Sequence, residues 1–258
     1  MLKTLFSYRR YIIVNAISEV RTRYAGTTLG VAWNIVHPLT VVLVLSAVLS
    51  GLSPRNPGSG LEMAIFISTG LIPWLGFADS ISRGVTSLVE NASFLRKLPI
   101  PEEVYVAKSI CSSMIYFAIL LVLLIALALF GGRRPGPIWL LVIPVALLSS
   151  LLAFGLTLAL SAANVFARDI GHAVPVFLQI GLWAAPILYP PEVAPQIILW
   201  TQHINPFMPF LTAFRDLLLD SQIPGLTTWG VMGGWTAGAL ALGTIVMNRL
   251  RGDLRDLL

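Results

Sequence analysis

Long stretches of this chain carry no charge at all: residues 24–54, 63–78, 109–132, 135–167, 170–191, 193–214 and 221–248. A membrane-crossing helix needs about 20 predominantly apolar residues. The runs predict six spans, over 30–52, 61–82, 104–130, 138–163, 172–189 and 227–247, in an all-α integral membrane protein with a single transmembrane domain over 1–258. Residues 1–25 follow a different pattern. Leu2, Leu5, Phe6, Ile12, Ile13, Ile17, Val20 and Tyr24 gather near one helical face, with Lys3, Ser7, Arg10, Ser18 and Arg21 opposite. That is the pattern of an amphipathic helix lying in the membrane interface.

The interval 190–222, between predicted spans five and six, does not fit a full crossing. Two apolar legs, about 193–204 and 207–219, are separated by Asn205-Pro206, and each is too short to traverse a bilayer. Half-length helices entering and leaving by one face fit these lengths. Irregular backbone at such depth survives only against protein or water, so the interval predicts a re-entrant hairpin beside a solvent-filled passage. A pair of amphipathic helices lying on the surface is the alternative. Gly230, Gly234 and Gly238 in span six, and Gly155, Ala159 and Ala163 in span four, line up small residues that predict close helix seams.

The polar counterpart of this pattern is the interval Glu90-Asn91-Ala92-Ser93-Phe94-Leu95-Arg96-Lys97-Leu98-Pro99-Ile100-Pro101-Glu102-Glu103, which carries five charges in fourteen residues. Pro99 and Pro101 stop any helix at Leu98. A short helix with an exposed Phe94-Leu95 pair, ending in a rigid turn, is expected. It reads either as a docking knob for a soluble partner or as an ordinary connecting loop.

Charge sets the orientation. Lysine and arginine concentrate on the cytoplasmic side of membrane proteins. Six spans put Lys3, Arg9, Arg10, Arg21, Arg23, Arg83, Arg96, Lys97, Lys108, Arg168, Arg249, Arg251 and Arg255 on one side, against Arg55, Arg133, Arg134 and Arg215 on the other. Both termini are therefore expected inside, in a multi-pass protein of the cell (inner) membrane. Arg133 and Arg134 break the rule locally. The net charge of +5 is spread between the spans, which points to lipid and not to nucleic acid. With 56% apolar and 11% charged residues, the chain stands well below the roughly 25% charge of soluble domains. Its single cysteine, Cys111, allows no disulfide within the chain. The early apolar cluster Tyr11-Ile12-Ile13-Val14 is too short for the core of a secretion signal.

Reactive constellations are missing from the sequence. His37, His172 and His203 are scattered, carboxylates do not cluster, and no phosphate-cradling Gly-x-x-x-x-Gly-Lys loop occurs. The expectation is a transport subunit without catalytic residues, metal or cofactor, driven by energy from another polypeptide. Trp33, Trp139, Tyr189 and Trp229 fall near predicted span ends, where interfacial anchoring explains them. Trp74 and Trp183 lie at least six residues from an end, about 9 Å deep, where they either pack in the core or stack on passing sugar rings. Arg9, Arg10, Arg21 and Arg23 flank the interfacial helix and read as holders of a lipid-linked diphosphate or as partners of anionic headgroups.

These parts, in this order, resemble the membrane subunit of type-2 ABC exporters that move polysaccharides, including O-antigen, capsule and teichoic acid permeases. The resemblance rests on Arg23-Tyr24-Ala25-Gly26-Thr27-Thr28-Leu29-Gly30-Val31-Ala32-Trp33 ahead of His37-Pro38-Leu39, and on Leu95-Arg96-Lys97-Leu98-Pro99-Ile100-Pro101. It continues in Phe166-Ala167-Arg168-Asp169-Ile170, Ala185-Pro186-Ile187-Leu188-Tyr189-Pro190, and Asn205-Pro206 followed by Arg215 and Pro224. It implies a homodimer above two cytoplasmic ABC ATPase subunits, which would hold the ATP and Mg. Phe94, Leu95, Arg96, Lys97, Pro99 and Pro101 would form the coupling helix, with Arg168 and Asp169 near a second contact. The passage, lined mainly by spans one, two and five, would put Trp33, Trp74, Trp183 and Tyr189 on the route of a glycan linked to undecaprenyl diphosphate. No appended domain for a glycan terminus is expected after span six. A type-2 ABC permease for a drug or small lipid, and a membrane-embedded glycosyl- or phosphotransferase using Asp79, Asp169 or Glu192, are the competing readings.

Overall fold

The computed structural model describes residues 1–23, 25–52, 60–189 and 204–257. Every regular element among them is helical: α1 (Leu2–Ser7), α2 (Arg9–Arg23), α3 (Trp33–Leu52), α4 (Gly60–Glu90), α5 (Ala92–Lys97), α6 (Glu102–Phe130), α7 (Val142–Phe166), α8 (Asp169–Ala184), α9 (Met208–Leu218) and α10 (Leu226–Leu257). Tight 3-10 turns, Gly30–Ala32 and Pro137–Leu141, lead into α3 and α7.

Five stretches among the described residues are long and apolar enough to cross a membrane: Gly30–Ser50, Gly60–Glu90, Glu102–Phe130, Pro137–Phe166 and Leu226–Leu254. They match predicted spans one to four and six. At span five the structure departs from the expectation of a helix over 172–189. Helix α8 starts earlier, at Asp169, and has 16 residues, about 24 Å of rise. It stops because Ala185, with φ −89° and ψ 146°, precedes Pro186, and a residue before proline is driven out of helical geometry. Span two is longer than expected. Helix α4 runs on for 31 residues to Glu90, past the predicted end at Ser82. Nothing between them breaks it, and Asp79 and Arg83, one turn apart, pair on its surface at 2.8 Å.

Helix α4 is the middle of the bundle. It buries Ile67, Leu71, Ile72, Phe77, Ile81 and Val85, packing against α3, α6, α7, α8 and α9. Helix α9, the second leg of the expected hairpin, has 11 residues, about 16 Å of rise, or half a hydrocarbon core. It sinks Phe210, Leu211, Phe214, Leu217 and Leu218 into the protein against α4, α7 and α10. The first leg, over 193–203, lies outside the described residues, as do Tyr24, the loop 53–59 with Arg55, and Pro190, Glu192 and His203.

The two arginines that offend the charge rule near α9 have local partners. Arg133 donates from an Nη to the Leu219 carbonyl at 3.0 Å, satisfying a carbonyl at the end of α9. Arg215 donates to the Pro186 carbonyl at 2.6 Å and stacks 4.2 Å from the centroid of the Phe66 ring. Free backbone carbonyls at helix ends attract cations, a demand that competes with the positive-inside bias.

The small-residue seams need one correction. Helices α7 and α10 do pack closely, but the ridge used on α10 is Met232, Thr236, Ala239, Gly243 and Met247, all buried. Nothing lies within 4 Å of where a side chain on Gly230, Gly234 or Gly238 would start. The expected face was not the one used, because the contacting ridge carries a single glycine, Gly243, and the evenly spaced glycines lie on another side of the helix. A Cβ on Gly155 would sit 2.5 Å from the Ala239 carbonyl carbon, and one on Gly243 would sit 2.1 Å from the Gly155 carbonyl oxygen. Gly155→Ala is therefore expected to force the helices apart and cost about 1–3 kcal/mol, read as a lowered unfolding midpoint in detergent. Gly234→Ala should leave that midpoint unchanged or raise it.

Candidate functional site

At one end of the bundle the chain leaves α4, forms α5 and re-enters as α6. Asn91 precedes α5, and the Leu98 amide closes the helix on the Phe94 carbonyl at 2.8 Å. Leu98 is extended, at φ −116° and ψ 137°, as a residue before proline is obliged to be. The expected exposed Phe94-Leu95 pair is split. Phe94 is 53% exposed, whereas Leu95 is 2% exposed and packs in a cluster with Leu88, Ile100, Val104, Tyr105 and Val165. On a helix of six residues neighbouring side chains point about 100° apart, so one anchors while the other projects. Arg96, Lys97, Leu98 and Pro99 are exposed, and with Leu95 they border a hollow of about 360 Å³. Pro101 is half-buried at the start of α6.

Arg168 and Asp169 are exposed in the turn between α7 and α8. Asn164 fixes that turn. Its amide nitrogen donates to the Val85 carbonyl at 3.1 Å, and its Oδ1 accepts from the Gly171 amide at 2.7 Å. The α7–α8 turn is thereby tied to α4, and Val165 shares the cluster that holds Leu95.

Both ends of the chain come to this same end of the bundle. Leu5, Tyr8, Tyr11 and Ile12 pack in the Leu95 cluster from the N-terminal side, and Met247, Leu250 and Leu254 from the C-terminal side. Sequence reasoning missed what the C-terminal helix does there. Glu102 and Glu103, in the first turn of α6, are 1% and 2% exposed, and both pair with Arg251 of α10. The Arg251 Nε lies 3.1 Å from Glu102, and an Nη contacts Glu103. The signal available was two adjacent acids directly after a Pro-x-Pro turn, where a helix start favours them, but no local pattern names a partner on the last helix.

The interfacial segment is two helices broken at Tyr8, and its apolar positions serve two surfaces. Ile12, Ala16 and Val20 face inward and are buried, with α6 alongside, whereas Ile13, Val14 and Ile17 are exposed. One helix that touches protein and lipid together needs apolar residues on both sides, which is why a single expected face became two. The structure also divides the four arginines. Arg9, Arg10 and Arg21 are exposed, Arg9 lying 4.2 Å from the Phe6 ring centroid. Arg23 turns inward, its side chain 9% exposed, 3.7 Å from Asp79, with an Nη 3.4 Å from Ser112 Oγ. Asp79 also accepts from Arg83 Nε at 2.8 Å and from Ser113 Oγ at 2.6 Å. Lys108 adds a second tie to α2 through Glu19 at 3.4 Å and donates to Asn91 Oδ1 at 3.0 Å.

The aromatic residues do not form one lining. Trp74 is 5% exposed, edge-on to Phe207 with centroids 5.2 Å apart, and packs where Gly181 leaves room. Trp183 is 55% exposed, its carbonyl accepting from the Tyr189 hydroxyl at 2.8 Å, and Trp33 is 42% exposed. Trp74 does reach the wall of an apolar cleft of about 510 Å³, shared with Phe177, Ile180 and Asn205.

Residues 10–219 match the model of the family described as ABC-2 type transporter. Relatives include the O-antigen export system permease protein RfbA of Myxococcus xanthus, 28% identical over 235 residues, covering 87% of this chain and 86% of the relative. RfbA of Klebsiella pneumoniae is 25% identical over 214 residues, 82% of this chain and 81% of the relative. The polysialic acid transport protein KpsM of Escherichia coli is 22% identical over 220 residues, 83% and 82% of the two chains. The matched segment takes in most of α2, the α5 turn, the α7–α8 turn and α9, and the chain belongs to the ABC-2 type transporter family, as a transport component and not an enzyme.

Proposed function

We propose that this chain is the passage-forming permease of an ATP-driven exporter that carries polysaccharide of the O-antigen kind, linked to undecaprenyl diphosphate, out of the cytoplasm. In this reading the permease is a homodimer over two cytoplasmic ABC ATPase subunits, which handle ATP and Mg, and this chain needs no cofactor. It crosses the inner membrane six times with both termini in the cytoplasm. The single observation that carries the reading is α5: a short helix that presents Phe94, Arg96 and Lys97 outward and is anchored by Leu95 between the two helices, α4 and α6, that run through the bundle.

A push delivered there is a push on the bundle itself, because α4 touches almost every other spanning helix. The exposed turn at Arg168 and Asp169 offers a second contact on the same side. Among the basic residues of the interfacial helices, Arg9, Arg10 and Arg21 are exposed toward a diphosphate, Arg9 with a nitrogen on the Phe6 carbonyl, whereas Arg23 is committed to Asp79. Trp33 and Trp183 are exposed and suit a sugar-facing lining; Trp74 packs in the core and borders the cleft.

Deleting the gene is expected to strand lipid-linked polymer inside the cell and strip it from the surface, measured by fractionating labelled glycan. Normal surface polymer together with new drug sensitivity would replace the cargo with a drug or small lipid. A change in polymer structure with unimpaired export would point to a transferase instead.

A further inference from the structure

We infer that Arg251 is a positioning residue that holds the turn 98–103, and with it α5, at the angle a motor subunit grips. The inference rests on the docking role proposed for α5 and names the part of the chain that braces it. Glu102 and Glu103 follow directly on Pro99-Ile100-Pro101, so their placement fixes where the rigid turn leaves α6. Both carboxylates are out of water. Adjacent buried anions repel each other and are held only where opposite charge reaches both. The amide end of α6 supplies part of that charge, and Arg251, 148 residues away in sequence from Glu103, reaches both acids with one nitrogen to each. A guanidinium has the flat, forked set of donors to bridge two carboxylates, and an ammonium is a single point.

The brace has its own footing. Met247 and Leu254, about one turn to either side of Arg251, are 2% and 0% exposed and lie in the cluster that also seats Leu95. Arg251 itself keeps 42% of its side chain exposed, so it reaches the acids from the rim. Force applied to α5 therefore meets α10 as well as α4 and α6, and α10 passes it to α7 through the close seam at Gly155 and Gly243. The last helix is a backstop for the docking turn.

The test uses the full permease with its ATPase subunits in proteoliposomes, reading polymer exported per ATP hydrolysed alongside co-purification of the ATPase and the unfolding midpoint. The triple variant Arg251→Ala, Glu102→Gln, Glu103→Gln removes the three charges of this brace together, with the amides keeping the shape of the acids. It is expected to fold and to retain the ATPase while export per ATP falls about tenfold. A wild-type ratio in that variant would overturn the inference. Should the triple variant fail to accumulate, Arg251→Lys carries the test: it keeps the charge but reaches one acid, so the ratio should drop about threefold, and a wild-type ratio again overturns the role. Sign reversal at Arg96 and Lys97 in the same assay separates the two ideas. If that reversal leaves coupling intact, the docking role of α5 itself falls. If it uncouples while both Arg251 variants behave as wild type, only the brace is refuted.

Discussion

Arg96→Glu combined with Lys97→Glu is expected to abolish ATP-driven export while the protein still inserts and folds. Both side chains are exposed and sit on a helix whose fold is secured elsewhere, by buried Leu95 and by the closing bond from Leu98 to Phe94. Surface substitutions of this kind change stability by no more than about 0.5 kcal/mol. Their effect falls on whatever the surface meets. Putting like charges face to face in an interface costs several kcal/mol, enough to weaken docking about a hundredfold or more. The measurement is stimulation of the ATPase subunits by purified permease, together with export. Full stimulation by the double variant would remove α5 from the interface and the carrying observation from the proposed function.

Asp79→Ala is expected to loosen the N-terminal helices from the bundle and to lower the unfolding midpoint by roughly 10 °C, the equivalent of about 3 kcal/mol for a chain of this size. The carboxylate receives Arg83 and Ser113 and faces Arg23, whose side chain is 9% exposed. Removing the acid that lies between the Arg23 and Arg83 guanidiniums leaves like charges in a poorly hydrated place, a larger penalty than loss of one hydrogen bond. Asp79→Asn keeps the shape and an acceptor oxygen, so a smaller loss, about 1–2 kcal/mol, should follow. Protease cleavage after Arg21 gives an independent readout, because α2 is tied down at its far end through Arg23. An unchanged midpoint and unchanged cleavage in the alanine variant would show that this ion cluster bears no load. The same occupancy speaks against Asp79 as a transferase carboxylate, since both its oxygens already hold donors.

How much of this could be read in advance depends on the range of the interaction concerned. Charge-free runs locate spanning helices because desolvation acts on each residue wherever its neighbours lie, and α3, α4, α6, α7 and α10 all fall on such runs. Proline rules act on the next residue, so the end of α5 at Leu98 was legible, and the end of α8 at Ala185 was legible too had Pro186 been weighed against the apolar run. Pairings across the bundle were not. Nothing local to Glu102 points to Arg251, and nothing in Gly230, Gly234 and Gly238 says that Gly243 is the glycine in contact. Arg133 looked like an error of topology because a charge tally is blind to the carbonyl at Leu219 that it caps. Among the candidate site residues, Phe94, Arg96 and Lys97 are exposed, Phe94 against its apolar type, while Arg23 and Trp74 were drawn inward by partners that lie far away in sequence.

The reach of α4 carries a further implication. At 31 residues it extends about 46 Å, against a hydrocarbon core of about 30 Å and a full bilayer, headgroups included, of 40–45 Å. In the reading proposed above, an untilted rod of that length carries the docking turn to the edge of the headgroup layer or beyond it, where a motor can engage it from water. Exchange of headgroup chemistry should accordingly alter cargo handling at the interfacial helices and leave motor attachment untouched.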